Sequence, residues 1–229
     1  MNDTESVKVY IADVSILNDP FWYEKAYHMV PKERREKADR YRFPKDRILS
    51  LGAGILLRYA LKGAGIGSAE TAVTDKGKPY IKDHSERFCS LSHSGTIAMC
   101  AAAKVPVGCD VQEVKEPPLS ASHLVFSKEE RAYLSGMNGE FQKDCFFALW
   151  TGKESFLKMT GEGLSGNPDG FTIKLPFGMQ KIREKMVTFY DVPCNTGYRA
   201  AVCAEGNHQS EELSAEKVDL RKVMEWLLK

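Results

Sequence analysis

The run FALWTGKESFLKMTGEGLS, from Phe147 to Ser165, has helical spacing yet carries charge where its pattern is apolar. At about 100° per residue, Phe146, Phe147, Leu149, Trp150, Phe156 and Leu157 share one broad arc suited to a core. Lys153 and Glu154 fall inside that arc, and Lys158 follows Glu154 by one turn on the same side. Buried ionised groups are strongly unfavourable unless paired or bound to a ligand or metal. Either Glu154 and Lys158 form a structural ion pair at the helix edge, or the charges face a site. Two other stretches offer matching chemistry. In VGCDVQE, Asp110 stands at the end of an apolar strand, where a side chain leaves the core and can meet a cleft. In SLSHSG, His93 lies between Ser92 and Ser94 ahead of a glycine, a composition suited to an anion-binding turn. Two carboxylates from separate elements can hold Mg²⁺, a hard ion that takes one or two carboxylates plus substrate phosphates, while lysines neutralise phosphate charge. Singly, Asp110 reads as a strand-end turn former and His93 as a hydrogen-bonded structural histidine, and Ser92 and Ser94 lack the strand-elbow setting of a nucleophile. Together they predict phosphoryl-type chemistry on a nucleotide-like substrate.

The elements that must position these groups can be followed along the chain. VKVYIADV alternates as a strand, PKERREKADRYRF reads as a helix with proline in its first turn, and a second helix runs from Lys45 to Leu61. GAGIG (63–67) follows a helix rather than a strand, so it is a turn and not a dinucleotide fingerprint. GKPYI and FCSLSHSG are short extended pieces, and TIAMCAAAKVPVGCDV gives a buried strand, a turn at Pro106 and a second strand ending at Asp110. Beyond a joint at Pro117 and Pro118, Ser127 and Glu130 have capping-box spacing ahead of the long helix. GFTIKL, MVTFYDV and YRAAVCAE read as antiparallel strands, and AEKVDLRKVMEWLLK as an amphipathic helix. IAMCAAA and YRAAVCAE resemble one another, a hint of two similar α+β halves.

Composition bounds the function classes. The chain has 229 residues, 43% hydrophobic and 28% charged, as in ordinary globular proteins. A net charge of +1 provides no global field for nucleic acid, and no apolar run approaches a membrane span. MNDTESVKVY starts acidic and polar, unlike a signal or transit peptide, so a cytosolic location is expected. The six cysteines have no CxxC spacing and read as reduced thiols rather than disulfides or zinc ligands. One local imbalance stands out: Lys32 to Arg47 holds eight Lys or Arg against four Asp or Glu, a solvated helix face or a phosphate grip.

Read together, GKP (Gly77 to Pro79), SHSG (Ser92 to Gly95), VGCDVQ (Val107 to Gln112), FSKEE (Phe126 to Glu130) and WTGKESFLKMTGEGLS resemble the surfactin-type 4′-phosphopantetheinyl transferases in order and spacing. The WxxKE…K stretch is the specific part. The resemblance implies an α+β fold of two similar subdomains related by a pseudo-twofold, residues 1–105 and 106–229, with the active site in the cleft between them. It implies a monomer in which a serine hydroxyl of an apo acyl or peptidyl carrier protein attacks the β-phosphate of coenzyme A, releasing 3′,5′-ADP. By similarity, Asp110 and Glu154 hold Mg²⁺, Glu154 or a group beside it takes the serine proton, and Lys158 stabilises phosphate charge, with Lys153 in the same cradle. Arg34, Lys37 and His93, with Ser50, match positions that hold the 3′-phosphate. Ser92 adjoins them, Lys78 and Pro79 match the nucleotide end, and Glu130 matches a carboxylate near the metal. Trp150 is expected to pack. One position departs from the family: the usual second carboxylate after the strand is Gln112, whose amide oxygen can still ligate Mg²⁺ but removes a charge, while Glu113 should point to the opposite face. A Mg²⁺-dependent nucleotide hydrolase or phosphotransferase, and a non-catalytic homologue that binds coenzyme A or carrier proteins, remain as rivals.

Overall fold

The computed structural model describes residues 7–208 and 213–229. Strand β1 (Lys8–Asp13) leads into helices α1 (Pro20–Met29), α2 (Lys32–Asp39) and α3 (Pro44–Gly63), the short strands β2 (Thr71–Val73) and β3 (Pro79–Ile81), and the hairpin of β4 (Phe88–Ser94) and β5 (Ile97–Ala103). Then come β6 (Val107–Glu113), α4 (Lys128–Ser135), α5 (Gly139–Thr160), β7 (Met179–Ile182), β8 (Lys185–Asp191), β9 (Tyr198–Glu205), β10 (Ala215–Lys217) and α6 (Leu220–Leu227). The two main sheets have the orders β10-β1-β5-β4 and β6-β9-β8-β7.

The halves repeat one plan. In each, an opening strand (β1 or β6) pairs antiparallel with a central strand (β5 or β9), which pairs antiparallel with β4 or β8. One long helix, α3 or α5, packs on each sheet. IAMCAAA and YRAAVCAE are the two central strands, so their likeness reflects equivalent places in an α+β architecture.

Glycines set how closely the long helices sit. A Cβ on Gly52 of α3 would overlap the Val14 side chain, and one on Gly108 of β6 would overlap the Ser155 carbonyl oxygen and the Met159 amide of α5. Helix α5 therefore rests directly on the β6 backbone, which brings its last two turns beside Asp110. It ends at Gly161, held in the left-handed conformation at φ 76°.

Several elements differ from expectation. Helix α1 is an addition, started by Asp19, whose carboxylate accepts from the Phe21 amide ahead of Pro20 in the first turn. The helix after Pro31 stops at Asp39, where the Arg47 guanidinium donates to the Tyr41 carbonyl and Pro44 opens the next helix. GFTIKL is irregular because the Ile173 amide is taken by Glu130 Oε1 (2.7 Å) instead of a neighbouring strand. The AEK segment is strand β10, and α6 begins only after the Asp219 cap. Both leave the 106–229 span: β10 pairs parallel with β1, and Leu220, Val223 and Met224 join the α3 core. The six cysteines are free thiols, all buried except the half-buried Cys194.

The halves meet along a side-chain seam. Strands β4 and β6 run side by side in the same direction, and the hydroxyls of Ser90, Ser92 and Ser94 accept from the amides of Cys109 (3.0 Å), Val111 (3.2 Å) and Glu113 (3.0 Å). The alternation that made FCSLSHS a strand thus puts its polar face on the other half instead of in water.

Candidate active site in the cleft between the halves

Asp110, on β6, is 2% exposed and bonded at both oxygens. Its Oδ1 accepts from Ser92 Oγ (2.6 Å) and Lys158 Nζ (2.6 Å), and its Oδ2 from Gln112 Nε2 (3.0 Å). Ser92 uses all its capacity, donating to Asp110 while accepting from the Val111 amide and from Lys158 Nζ (2.9 Å). Burial alone would lower the Lys158 ammonium, but Asp110, with help from Cys109 and Glu154, outweighs it and raises its pKa. Lys158 therefore pairs with Asp110 across the sheet, not with Glu154 along its own helix. Glu154 makes no hydrogen bond or ion pair among the described residues. Its carboxyl pKa is raised, first by burial and then by Asp110, against the opposing pull of Lys158.

Glu154 and Lys158 line a cavity of about 380 Å³ with Lys37, Lys78, Pro79 and Ser90, so both halves contribute to its walls. Lys78 Nζ donates to the Met159 carbonyl at the end of α5, and burial lowers its pKa. A second cavity of about 310 Å³, lined in part by Arg34 and Arg40, shares Lys37 and Pro79 with the first.

A positive cluster stands over this region. The Arg34 guanidinium is lowered by burial, and the Lys37 ammonium by burial and then by Arg34 and Lys158. The His93 imidazole is pushed down to about 4 by burial, with Lys158, Lys37 and Arg34 adding repulsion and Asp46 opposing. Arg34 and Lys158 thus disfavour protons on both Lys37 and His93, an excess of positive charge that suits an anion. Ser50, one turn beyond Asp46 on α3, is 0% exposed, and among the described residues its hydroxyl is the single buried side-chain polar atom without a hydrogen bond. Such an atom lacks the partner that buried polar groups normally have.

Not every expected residue joins the group. Lys153 is 0% exposed and turned away, its Nζ 2.8 Å from Glu130 Oε2 and 2.6 Å from the carbonyls of Pro168 and Phe171. Glu130 is likewise occupied, closing the capping box with Ser127 and accepting from Ile173. Neither reaches the cleft, so the cradle role expected for Lys153 has no geometric basis. Gln112 points its amide nitrogen at Asp110 and its oxygen towards Ser94 Oγ (3.4 Å). Trp150 stacks on Phe146, as expected of a packing residue. Ser90 and Lys76, which also line the larger cavity, went unnoticed in the sequence. The period-two serines held the signal for Ser90, whereas Lys76 looks like any loop lysine. Among the described residues no three His, Cys, Asp or Glu side chains gather as a metal-holding group. No helix among them is long and apolar enough to cross a membrane.

The sequence profile of the 4′-phosphopantetheinyl transferase superfamily matches residues 106–203, which contain Asp110, Glu154 and Lys158. A 4′-phosphopantetheinyl transferase of Bacillus subtilis is 34% identical over 152 residues, covering 64% of this chain and 66% of that protein. The 4′-phosphopantetheinyl transferase Sfp of Bacillus subtilis (strain 168) is 31% identical over 194 residues, 79% of this chain and 84% of that one. A solved structure, the Thermotoga maritima holo-[acyl-carrier-protein] synthase (AcpS), matches 45% of this chain and 64% of its own at 17% identity and a TM-score of 0.33. Given the extent and identity of the match to Sfp, together with the motifs gathered at the cleft, the chain belongs to the 4′-phosphopantetheinyl transferase superfamily.

Proposed function

We propose that this protein transfers the 4′-phosphopantetheine arm of coenzyme A to a serine hydroxyl of an apo acyl or peptidyl carrier protein and releases 3′,5′-ADP. The observation that carries the reading is the cavity where Glu154 and Lys158 from one half face Lys37 and Lys78 from the other, with Asp110 held behind Lys158. In the proposal, residues 1–105 hold the nucleotide end. Arg34, Lys37, His93 and the unpartnered Ser50 receive the 3′-phosphate, and Lys78 and Pro79 flank the nucleotide. The second half supplies the reacting centre, where Lys158 neutralises charge on the diphosphate, and Ser92 of the first half holds Lys158 and Asp110 in place. Glu154 accepts the proton of the attacking serine.

The oxygens present fit a hard divalent ion. Asp110 and Glu154 offer carboxylate oxygens, and an ammonium already stands 2.6 Å from Asp110 as a cation in that place, whereas Gln112 turns its amide nitrogen, not its oxygen, to Asp110. Mg²⁺ held by Asp110 and Glu154 would polarise the phosphoryl oxygens and offset the charge that develops during attack. The protein is proposed to act as a cytoplasmic monomer, with no nucleic acid or membrane partner.

The test is to incubate it with coenzyme A, Mg²⁺ and several apo carrier proteins and to weigh the carriers by mass spectrometry. A gain of one phosphopantetheine per carrier is expected. Phosphate release without carrier modification, or binding without either product, overturns the proposal.

A further inference from the structure

Asp110 already has a cation. Lys158 Nζ and Ser92 Oγ both donate to Oδ1 at 2.6 Å, and an oxygen of this kind offers about two lone-pair directions. Oδ1 is therefore full, and Oδ2 is partly used by Gln112. A divalent ion at this carboxylate, even on Oδ2, meets the Lys158 ammonium across the same group, and repulsion between the two cations favours moving Lys158 away. Gln112, being neutral, brings no extra charge to favour the ion over the ammonium. Glu154 keeps its oxygens unengaged among the described residues, so the site offers a metal one open carboxylate and one occupied one. Lys158 has somewhere to go: it lines the cavity, its side chain is 29% exposed, and its stem is flexible.

We propose that Lys158 is an exchangeable internal cation. It occupies Asp110 in the free protein, keeps a divalent ion from binding there alone, and moves onto phosphate oxygens when the ion arrives with the diphosphate. Metal and coenzyme A then bind synergistically, because the diphosphate supplies the anion that takes Lys158 off Asp110. This rests on the reading that a diphosphate binds in this cavity, and it adds the order in which charges are exchanged.

The test measures Mn²⁺ binding to the full chain by electron paramagnetic resonance of the free ion, with and without saturating coenzyme A. Wild-type protein should bind Mn²⁺ at least about tenfold tighter with coenzyme A than without it. Lys158→Met and Lys158→Gln should bind Mn²⁺ without coenzyme A at least about tenfold tighter than wild type, and the enhancement by coenzyme A should shrink. The Gln variant retains hydrogen-bond donors to Ser92 and Asp110, so it serves if the Met variant fails to fold. Equal or weaker Mn²⁺ binding by the folded variant overturns the exchange, whatever the wild-type protein does to carrier proteins. Tighter binding in the variants together with no carrier modification by wild type overturns the transferase reading and leaves the exchange standing.

Discussion

Replacing Lys153 with methionine separates a structural from a ligand-binding lysine. The substitution keeps the length of the side chain but strips the counter-ion from Glu130, which is 2% exposed, and leaves the Pro168 and Phe171 carbonyls without their 2.6 Å donor. Breaking one side of a buried pair costs about 3–5 kcal/mol. Glu130 retains the amides of Ser127 (2.8 Å) and Ile173 (2.7 Å), which places the expected loss near the lower end, about 3 kcal/mol. With an m-value of about 3 kcal/mol/M, the urea midpoint should fall by about 1 M. Tryptophan fluorescence and far-ultraviolet circular dichroism follow the transition, and Trp150 reports from the same helix. Glu130→Gln and the double variant complete a cycle whose coupling energy should exceed about 1 kcal/mol. Coenzyme A affinity, measured below the transition, should be unchanged. A variant that keeps its urea midpoint but loses coenzyme A affinity refutes the structural assignment and returns Lys153 to the site.

Three further outcomes are expected. Gly108→Ala forces a methyl group into the backbone of α5, so its thermal midpoint should drop by an amount corresponding to about 2–3 kcal/mol, with transfer activity falling as α5 shifts; an unchanged midpoint would show that the helix rides higher on the strand. The His93 imidazole should titrate by NMR near 4 in the free protein, well below its ordinary 6.5, and higher once 3′,5′-ADP replaces cationic repulsion with a counter-charge. Because the unfolded chain binds more protons between those two values, the stability tied to this group is present above pH 6.5 and lost as pH falls through 4; a free-protein midpoint near 6.5 rules out the buried cation cluster. Glu154→Gln should abolish carrier modification in the mass assay while leaving the circular dichroism spectrum intact, and near-normal turnover would remove Glu154 from its role as base.

The legible parts were those in which one local signal has one structural outcome. The Ser127–Glu130 capping box forms with both of its hydrogen bonds, YRAAVCAE is strand β9 from end to end, and the inward charges on α5 do mark a cleft. The illegible parts depend on neighbours in space. Lys153 and Glu154 are adjacent on the same helical arc, but α5 packs so that one enters a closed pair beside α4 and the other opens on the cavity. A helical wheel cannot separate those fates, because it carries no information about what covers each side. GFTIKL has strand-like residues, yet a glutamate claims the amide a ladder would need. The return of β10 and α6 to the first half likewise leaves no mark on local periodicity, since an amphipathic helix does not specify which core it covers.

The serine seam joins the two lobes through side-chain hydroxyls where a main-chain ladder would have fused them into one continuous sheet, and a shared apolar core that includes Val9, Met99, Val111 and Val202 backs it. Its middle rung, Ser92, is also a partner of Lys158 and Asp110, so one hydroxyl belongs both to the contact between the lobes and to the site they enclose. Whatever draws Lys158 away therefore removes one of the three hydrogen bonds of that rung, while the apolar core behind it stays packed.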